Sequence, residues 1–306
     1  MKVYVNSAKE NWIVDRYRKE WIKYNKDSFS FAPNRGIIWL MSPWTWKKIP
    51  KRFLSREKVL CTIHHIDENK FYGGEEKNFY ERDRYVDHYH VISDKTYEQV
   101  DKLTNKPITK IPFWINQNLW FEISKKDQLR KKYKLNKDHF IVGSFQRDTE
   151  GADLISPKLS KGPDRLVEIF LHLRSLNKNF VVILTGKRRQ YIINKCIENK
   201  LKYLYFENCN FKTMNELYNL LNLYVVASRF EGGPAAIMES AIIKTPIIST
   251  DVGIASEILH PQSIFNMENF ESAKPQIDYA HKKIQNFIIP KHFENYKRLL
   301  NEIYEN

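Results

Sequence analysis

Apolar and polar positions follow two different periods along the chain. Short apolar runs are typical of buried strands, whereas apolar residues spaced three or four positions apart between those runs predict amphipathic helices. In the first half, this pattern predicts strands at residues 2–5, 36–41, 58–63 and 110–115 and helices at residues 11–26, 96–103 and 125–135.

The pattern starts again after Asn136. It predicts strands at residues 139–145, 180–185, 203–206, 223–227 and 246–249 and helices at residues 163–176, 190–198, 214–221 and 235–243. Strands that alternate with helices in this way predict βαβ units and parallel sheets. We therefore expect an α/β protein with two Rossmann-like, doubly wound domains that face each other across a cleft.

The restart of the pattern sets the expected domain boundaries. We expect the first domain at residues 1–137 and the second at residues 138–285. A helical tail over about 286–306 is expected to cross back to the first domain near Pro290. Ligands of open α/β sheets bind at the carboxyl ends of the strands, so the loops that follow strands are the candidate sites.

Composition excludes several classes of protein. The chain has 306 residues, of which 42% are hydrophobic and 28% charged, so it can form one or two cores and is not disordered. No stretch approaches about 18 uninterrupted apolar residues, and the N-terminus lacks the apolar segment of a signal peptide. The three cysteines are widely spaced and form no CxxC motif, which argues against a disulfide scaffold and a zinc finger. We expect a cytoplasmic protein.

The net charge of +14 is unevenly distributed, because most of the excess of Lys and Arg lies in the first half. Such an asymmetry indicates an anionic partner for that half: a membrane surface, a nucleic acid or a phosphorylated substrate. The alternative is a chain that is simply rich in Lys and Asn throughout, and composition does not decide between the two.

The segment from residue 228 to residue 257 contains the most specific pattern. A predicted strand ends at Glu231, a Gly-Gly-Pro turn follows, and a helix begins near Ala235. Glycines let the backbone approach a ligand closely, and the free N–H groups of a helix N-terminus suit a phosphate. Glu239 lies one turn into this helix, where its carboxylate is placed to accept hydrogen bonds from a sugar diol.

This segment resembles the E-x7-E signature of retaining GT-B glycosyltransferases of the family-4 (glycosyl transferases group 1) type, with Glu231 and Glu239 as the two glutamates. A strand containing Pro246, the D-x-G triplet at residues 251–253 and Glu257 resemble the usual continuation of that signature. The resemblance implies two Rossmann-like domains, with a nucleotide-diphosphate sugar held mainly by the C-terminal one and an acceptor held by the N-terminal one.

The resemblance also assigns roles by position. It matches the diphosphate-binding arginine to Arg147 and the lysine of a K-G motif to Lys161, two cations that would neutralise charge on the leaving group. It places Glu231 at hydroxyls of the donor sugar and Glu239 at the ribose hydroxyls. The strand-end sequence at residues 61–65 resembles the family's T-x-H motif, which places His64 at the transferring centre.

The remaining contacts to the donor are expected from the turn and the neighbouring loop. His65 replaces His64 if the register is shifted by one residue. Pro234 has no N–H group, so the phosphate cradle must use other backbone groups. The expected donor-binding residues besides Glu239 are Gly232, Gly233, Ala235, Ala236 and, near the base, Asn208.

Besides Pro234, two features depart from the family pattern. The glycine-rich loop after the first strand is missing, since Val5 is followed by Asn6 and Ser7. Arg147 and Lys161 are separated by a longer loop, residues 148–160, which is expected to shape the cleft.

The sequence contains no D-x-D motif, through which the other main glycosyltransferase architecture holds Mg²⁺ or Mn²⁺. We therefore expect no metal and no other cofactor. Arg147, Lys161 and the dipole of the helix near Ala235 are expected to take the place of the ion.

Aromatic and basic residues are interleaved at residues 44–53, WTWKKIPKRF. Such a run suits an anionic lipid surface or a phosphate-bearing acceptor. The alternative is a helix that packs its tryptophans inward and its lysines outward. A second basic run, at residues 125–134, favours a solvated helix face.

These observations predict a retaining, metal-independent glycosyltransferase of the hexosyltransferase type. It would move a sugar from a UDP- or GDP-sugar to an acceptor hydroxyl in cell-surface glycan or glycolipid synthesis. The expected partners are the nucleotide sugar, a glycan or lipid-linked acceptor and, peripherally, the anionic inner face of the membrane; nucleic acid is not expected. Two alternatives stay open: a non-catalytic GT-B-like protein that binds polyanion or membrane, and a phosphorylase or epimerase of the same fold.

Overall fold

The computed structural model of the chain describes residues 1–10 and 13–306. The chain forms two compact units: unit 1 comprises Met1–Trp114 and Phe287–Asn306, and unit 2 comprises Ile115–Asn286. Each unit contains one sheet of parallel strands, with five strands in the first and six in the second. The predicted α/β class with two parallel sheets is confirmed.

Unit 1 alternates short strands with short helices, as its sequence pattern predicts. Its strand order in the sheet follows the chain order, β1-β2-β3-β4-β5. The elements are β1 Lys2–Val5, α1 Ile13–Tyr24, β2 Gly36–Leu40, α2 Lys51–Leu54, β3 Lys58–Ile63, α3 Gly74–Asp83, β4 His88–Val91, α4 Asp94–Asp101 and β5 Ile108–Lys110. The first part of the helix predicted at residues 11–26 falls on Asn11 and Trp12, which lie outside the described residues.

The direction in which unit 1 is wound reverses at β1. Val3 pairs with Ile37 of β2 on one edge of β1 and forms an isolated parallel bridge with Phe29 on the other edge. The amide of Ser30 donates to the carbonyl of Val3 (2.9 Å), which extends this outer contact. The chain therefore passes from β1 through α1 to the outer edge and then returns to β2, so the switch point of unit 1 lies between β1 and β2.

Apolar side chains cover both faces of this sheet because successive residues of a strand point to opposite sides. Trp39 of β2 belongs to one core cluster together with Trp21 of α1. Its neighbour Ile38 belongs to the other cluster together with Phe79 of α3 and Val100 of α4. Helices thus pack on the two faces, which is the doubly wound arrangement that the sequence predicts.

Unit 2 follows its sequence pattern more closely. The helices Pro163–Leu176, Gln190–Glu198 and Ala235–Ile243 and the strand Phe180–Thr185 begin and end at the predicted residues. The elements are α5 Lys126–Lys132, β6 Phe140–Ser144, α6 Pro163–Leu176, β7 Phe180–Thr185, α7 Gln190–Glu198, β8 Lys202–Phe206, α8 Phe211–Leu220, β9 Leu223–Val226, α9 Ala235–Ile243, β10 Ile247–Thr250, α10 Ala255–Ile258, β11 Ile264–Phe265 and α11 Ile277–Ile284.

The strand order of unit 2 is β11-β10-β9-β6-β7-β8. The chain adds β7 and β8 on one side of β6 and then returns to place β9, β10 and β11 on the other. β6 and β9 are hydrogen-bonded neighbours, with Val142 opposite Leu223. Their carboxyl ends therefore form the switch point, where open α/β sheets bind ligands.

The C-terminal helix, α12 Phe293–Glu305, belongs to unit 1. Its Phe293 ring packs edge-on against Trp21 at 5.3 Å, and the Tyr296 hydroxyl donates to the Ile111 carbonyl at 3.2 Å. The tail expected at 286–306 thus returns to the first sheet.

The boundary expected between residues 137 and 138 lies inside unit 2. The amide of Phe121 donates to the side chain of Asn215 (3.1 Å), and the amide of Ile123 donates to that of Asn219 (2.8 Å), both on α8. These contacts attach the connecting segment to unit 2 before its first strand begins.

One prediction for unit 1 is wrong, and one of its helices was not predicted. The strand expected at 110–115 is instead β5, which ends at Lys110, because Pro112 has no N–H group for a ladder and the buried Ile111 and Trp114 pack into the core. Helix α3 was not predicted, because Phe79 is its only buried apolar residue and its pattern is nearly all polar.

Candidate active site

The loops at the switch point of unit 2 contain three of the predicted site residues. Arg147 lies in the loop after β6, Lys161 lies in the short 3-10 helix Leu159–Lys161 before α6, and Glu231 follows β9. The amides of Arg229 and Phe230 donate to the Ser160 carbonyl at 2.8 and 3.2 Å. The fold therefore holds the K-G loop against the loop that carries Glu231.

Lys161 and Glu231 form an ion pair through Lys161 Nζ and Glu231 Oε1. The Ser228 hydroxyl donates to the same carboxylate oxygen at 3.1 Å. The side chains of Lys161 and Glu231 keep 21% and 12% of their surface exposed, so both remain accessible at the surface of the site. A cation and a carboxylate held together in this way present opposite charges to one ligand.

Buried hydroxyl groups near the strand ends fix the backbone that carries this ion pair. Thr250 Oγ1, at the end of β10, donates to the Ser228 carbonyl at 2.6 Å. Ser228 and Thr250 are both buried. Buried hydroxyls that are hydrogen-bonded fix the backbone around Glu231 rather than leaving it to adapt.

The glycines of the K-G and D-x-G motifs allow the loops to approach each other. Gly162 has φ +61°, and a Cβ atom there would lie 1.9 Å from the Ala227 carbonyl oxygen. Gly253 has φ +51°, and its Cβ would lie 2.0 Å from the Gly232 carbonyl oxygen. Neither position accepts a side chain without moving the backbone. The two motif glycines thus set the shape of the site.

A second ion pair joins the same loops away from Glu231. The Arg229 guanidinium contacts both oxygens of Asp164 in α6, at 2.8 and 2.6 Å, and donates to the Leu159 carbonyl at 2.9 Å. The Arg229 guanidinium lowers the pKa of the Asp164 carboxyl. This bidentate pair is geometrically specific and ties the start of α6 to the end of β9.

Arg147 is exposed, and within residues 1–10 and 13–306 its side chain has no ion-pair partner. The preceding residue, Gln146, donates from Nε2 to the Lys161 carbonyl at 3.0 Å. This contact brings the backbone that carries Arg147 beside the K-G loop. Arg147 therefore lies on a loop that contacts the K-G loop at the switch point.

Glu239, on α9, is 6% exposed and therefore buried more deeply than an ordinary helix carboxylate. The Tyr218 hydroxyl donates to its Oε2 at 2.8 Å. Tyr218 in turn stacks on Tyr224, with centroids 5.4 Å apart, and the Tyr224 hydroxyl accepts from the amide of Phe145 at 2.9 Å. Burial raises the pKa of both phenols, so both stay protonated and Tyr218 keeps its proton for Glu239.

The predicted phosphate cradle occupies the start of α9. The helix begins at Ala235, with Pro234 as its N-cap, and the Ile237 amide already donates to the Pro234 carbonyl at 2.9 Å. The N–H groups of the first turn of a helix have no intrahelical acceptor. Gly232, Gly233, Ala235 and Ala236 therefore surround a helix terminus within the loop that also carries Glu231.

Asn208 lies apart from this cluster. It is exposed and follows β8, the edge strand that β7 separates from β6. Among the described residues no hydrogen bond or ion pair joins Asn208 to Glu231 or Glu239. Its expected role near the base stays a prediction.

In unit 1, His64 follows β3 and is half-buried. Its Nε2 lies 2.9 Å from the Met41 carbonyl, and because a carbonyl only accepts, Nε2 must carry the proton and Nδ1 is left as an acceptor. Phe113 stacks on the ring at 5.6 Å, and Trp44 lies at 5.8 Å. Burial lowers the pKa of His64 to about 4, so the imidazole is neutral at pH 7. His65 is exposed.

The switch point of unit 1 is filled by a side chain. Asn6 is 3% exposed and donates from Nδ2 to the Ser42 carbonyl (2.8 Å) and to Thr45 Oγ1 (2.9 Å). Its Oδ1 accepts from the Ser42 amide at 2.9 Å. Asn6 thereby bridges the ends of β1 and β2 at the position where the family pattern has a glycine-rich loop.

The aromatic and basic run at residues 44–53 divides its tryptophans. Trp46 is 3% exposed and packs beside Tyr85, as the inward-packing alternative predicts. Trp44 is 43% exposed, and its indole N–H donates to Glu10 Oε1 at 3.1 Å. Lys47 forms an ion pair with Glu81 at 2.9 Å. Trp44 is thus the exposed tryptophan of this run.

A family model described as glycosyl transferases group 1 matches residues 125–301, which is more than half of the chain. The chain belongs to the group 1 glycosyl transferases. The resemblance inferred from the E-x7-E signature is confirmed.

A curated relative of this group 1 glycosyl transferase is a probable sucrose-phosphate synthase of Thermosipho melanesiensis. It is 25% identical over 234 residues, which are 74% of this chain and 48% of the relative. The chain therefore spans about half the length of the curated relative that it matches.

Solved structures share the fold at low identity. Sucrose-phosphate synthase from Thermosynechococcus elongatus has a TM-score of 0.72 and 15% identity, covering 95% of this chain and 77% of its own. HepE of Anabaena in complex with UDP also has a TM-score of 0.72, with 13% identity, covering 99% of this chain and 100% of its own. The same protein in complex with UDP-glucose has a TM-score of 0.70 at 12% identity. These neighbours confirm the GT-B fold.

Several residues that shape the site of this group 1 glycosyl transferase were missed in the sequence. Ser228 precedes the motif by three residues, and Asp164 follows the K-G glycine by two, so both had a local signal. Tyr218 had none, because its contact with Glu239 joins α8 to α9 across a strand.

Within residues 1–10 and 13–306 no helix is long and apolar enough to cross a bilayer, and no three His, Cys, Asp or Glu side chains are grouped to hold a metal ion.

Proposed function

We propose that this protein is a retaining glycosyltransferase that moves a hexosyl group from a UDP-sugar to an acceptor hydroxyl without a metal ion. The observation that carries the proposal is the Lys161–Glu231 ion pair at the switch point of unit 2. Arg147 lies on the neighbouring loop, and the N-terminus of α9 follows the same turn. Family membership supports the reaction class.

The two cations suit the diphosphate. As the bond between the anomeric carbon and the diphosphate breaks, negative charge grows on the leaving oxygen, and fixed positive groups stabilise it most where water is excluded. Lys161 is held by Glu231 before any substrate binds, so little reorganisation is needed. Arg147 and the first N–H groups of α9 add to the same field.

The two glutamates suit hydroxyl groups. Glu231 accepts from Lys161 and Ser228 at one oxygen, Oε1, which leaves Oε2 for hydroxyls of the donor sugar. Glu239 is buried and oriented by Tyr218, as a carboxylate that binds a vicinal diol should be. We assign it to the ribose hydroxyls.

Retention is proposed to proceed on one face of the sugar. A Glu231 carboxylate that is already bonded to an ammonium and a hydroxyl is a poor nucleophile, which disfavours a covalent glycosyl-enzyme. In the proposed step, the bond from the anomeric carbon to the diphosphate breaks, the acceptor oxygen bonds to that carbon on the same face, and its proton passes to a phosphate oxygen of the leaving diphosphate.

Unit 1 is proposed to supply a hydrogen-bond acceptor and an apolar surface to the substrate. His64 offers Nδ1 to a substrate hydroxyl and stays neutral, so it is not an acid in the reaction. The exposed face of Trp44 suits the C–H face of a sugar ring in a glycan acceptor. The roles in cell-surface glycan or glycolipid synthesis, the cytoplasmic location and the contact with anionic membrane stay predictions.

A thermal-shift panel with UDP, GDP, ADP, TDP and CMP tests the donor site, run without added metal and again with EDTA. We expect UDP to stabilise the protein, because the two HepE complexes were solved with UDP and UDP-glucose. At a hundred times its Kd a ligand adds about 2.7 kcal/mol of stability. Glu239→Ala should remove the shift, whereas Glu198→Ala, at an exposed glutamate of α7, should not.

The outcomes separate the alternatives. Stabilisation by GDP in place of UDP would correct the base, and loss of the UDP shift in EDTA would contradict metal independence. No shift with any nucleotide would favour the non-catalytic protein that binds polyanion or membrane. Product analysis of a UDP-sugar with inorganic phosphate, or without acceptor, would detect a phosphorylase or an epimerase.

A further inference from the structure

A fully buried ion pair lies beside the site in unit 2. Arg189 Nε is 2.9 Å from Asp148 Oδ2, and the two side chains are 0% and 3% exposed. Within the described part of the chain, none of the Arg189 atoms Nε, Nη1 and Nη2 has a hydrogen-bond partner, so Arg189 contacts Asp148 as an ion pair. Burial removes the guanidinium from water, which costs free energy, and the negative charge of Asp148 compensates for it. Removal of the carboxylate would leave a buried positive charge uncompensated.

The pair fixes the backbone that follows Arg147. Arg189 is the N-cap residue of α7, and Asp148 is the residue directly after Arg147. The Asp148 amide donates to the Arg188 carbonyl at 2.9 Å, and the Lys158 amide donates to the Asp148 carbonyl at 2.8 Å. Residue 148 is therefore held through its amide, its carbonyl and its side chain.

The backbone that precedes Arg147 is held as well, by the contact from Gln146 Nε2 to the Lys161 carbonyl at 3.0 Å. Arg147 thus lies between two anchored residues while its own side chain is exposed. In a flexible loop the guanidinium would occupy many positions. Binding would then have to restrict it to one of them, at a cost in conformational entropy.

We propose that Asp148 and Arg189 are positioning residues, whose buried ion pair fixes the backbone of Arg147 so that its guanidinium meets the diphosphate of the donor. The inference rests on the proposed function, because it needs Arg147 to bind the diphosphate. The loop at residues 148–160 thereby gains a role besides shaping the cleft, because Asp148 is its first residue.

The test is a double-mutant cycle on nucleotide affinity, with UDP and uridine as probes and calorimetry on the full chain. Arg147→Ala should raise the Kd for UDP about tenfold or more, the effect of losing one charge-assisted hydrogen bond. Asp148→Asn should raise it about fivefold, and less than about twofold when Arg147 is already alanine, because the pair acts through Arg147. The Kd for uridine, which has no phosphate, should not change.

Asp148→Asn leaves Arg189 uncompensated and can weaken folding, so a second variant separates stability from positioning. Replacing a buried ion pair by apolar residues is often neutral for stability. The double variant Asp148→Leu with Arg189→Met should therefore melt near the wild-type temperature and still lose UDP affinity. Asp153→Asn, at an exposed carboxylate of the same loop, is the matched control and should bind UDP normally.

Three results would overturn the proposal: equal weakening of UDP and uridine by Asp148→Asn, full additivity with Arg147→Ala, or wild-type UDP affinity in the Leu/Met variant. A wild-type protein that binds no UDP, or an Arg147→Ala variant with unchanged UDP affinity, would instead refute the proposed diphosphate site, and this inference would fall with it. The two failures are distinguished by the behaviour of wild type and Arg147→Ala.

Discussion

In each sheet the winding of the chain reverses at one point, between β6 and β9 in unit 2 and between β1 and β2 in unit 1. Different kinds of side chains lie at the two points. In unit 2, the ends of β6 and β9 carry Arg147 and the Lys161–Glu231 pair, and two glycines bring the loops together. In unit 1, the ends of β1 and β2 are bridged by the amide of Asn6.

The two reversals also differ in the side chains that lie around them. Near the reversal of unit 1, the neutral ring of His64 contacts the rings of Trp44 and Phe113. Charges suit a diphosphate, whereas neutral acceptors and aromatic faces suit hydroxyls and C–H groups. The comparison shows that topology fixes where a ligand can bind and that local side chains fix which kind.

The largest effect is expected at the charged reversal. Lys161→Ala should lower kcat with a UDP-sugar by about 100- to 1000-fold, as the loss of one group that stabilises a leaving charge typically does. Lys178→Ala, at an exposed lysine before the opposite end of β7, should leave kcat unchanged. A Lys161→Ala enzyme that keeps a tenth of its activity would show that the charge on the leaving group is stabilised elsewhere.

The glycine contacts should be next in size. Gly253→Ala places a Cβ 2.0 Å from the Gly232 carbonyl at a positive φ, so it should cost about 2–4 kcal/mol of stability or distort the turn. Thermal unfolding and the Kd for UDP measure the two outcomes. Gly74→Ala has open space and ordinary backbone angles, and it should be neutral or slightly stabilising. Unchanged melting and UDP binding in Gly253→Ala would refute the close approach.

Unit 1 should also respond to acid through its buried histidines. Burial lowers the pKa of His90 to about 3 and that of His64 to about 4, below the unfolded value near 6.5, so their contribution to stability is present above that value and lost as the pH falls towards 4.

Denaturation followed by tryptophan fluorescence reports mainly on unit 1, because only Trp120 of the seven tryptophans lies in unit 2. We expect unit 1 to lose about 2 kcal/mol at pH 5 relative to pH 7.5 from His90 alone. His90→Gln should reduce this difference, and His65→Gln, at an exposed neighbour of His64, should not. A difference that survives His90→Gln in full would assign the acid response to other groups.

The smallest effect is expected at the neutral reversal. Trp44→Ala should raise the KM for a glycan acceptor about threefold to tenfold, because one stacking contact is lost, and should leave the Kd for UDP unchanged. Phe31→Ala removes another exposed ring of unit 1 and is the matched control. Loss of anionic vesicle binding in Trp44→Ala but not in Phe31→Ala, with no change in KM, would assign Trp44 to a membrane surface instead.

The sequence predicts unit 2 better than unit 1 for a physical reason. Strand Phe180–Thr185 is buried throughout and α6 shows a clear apolar face after Pro163, so local pattern and tertiary burial agree. In unit 1, α3 buries little and β5 is three residues long, so tertiary packing decides where these elements lie.

The candidate site divides in the same way. Residues within one loop, such as Glu231, Gly232 and Lys161, follow from local motifs. Contacts between distant segments do not, because neither Tyr218 with Glu239 nor Asp148 with Arg189 leaves a spacing that a single sequence displays.

Asn6 has a consequence for anyone who wishes to redesign this enzyme. Its amide already uses three hydrogen bonds to close the gap between β1 and β2, at the point where a nucleotide would need bare backbone. On the proposed function, exchanging loops of unit 2 alone should therefore alter donor preference while unit 1, with its acceptor side, is left unchanged.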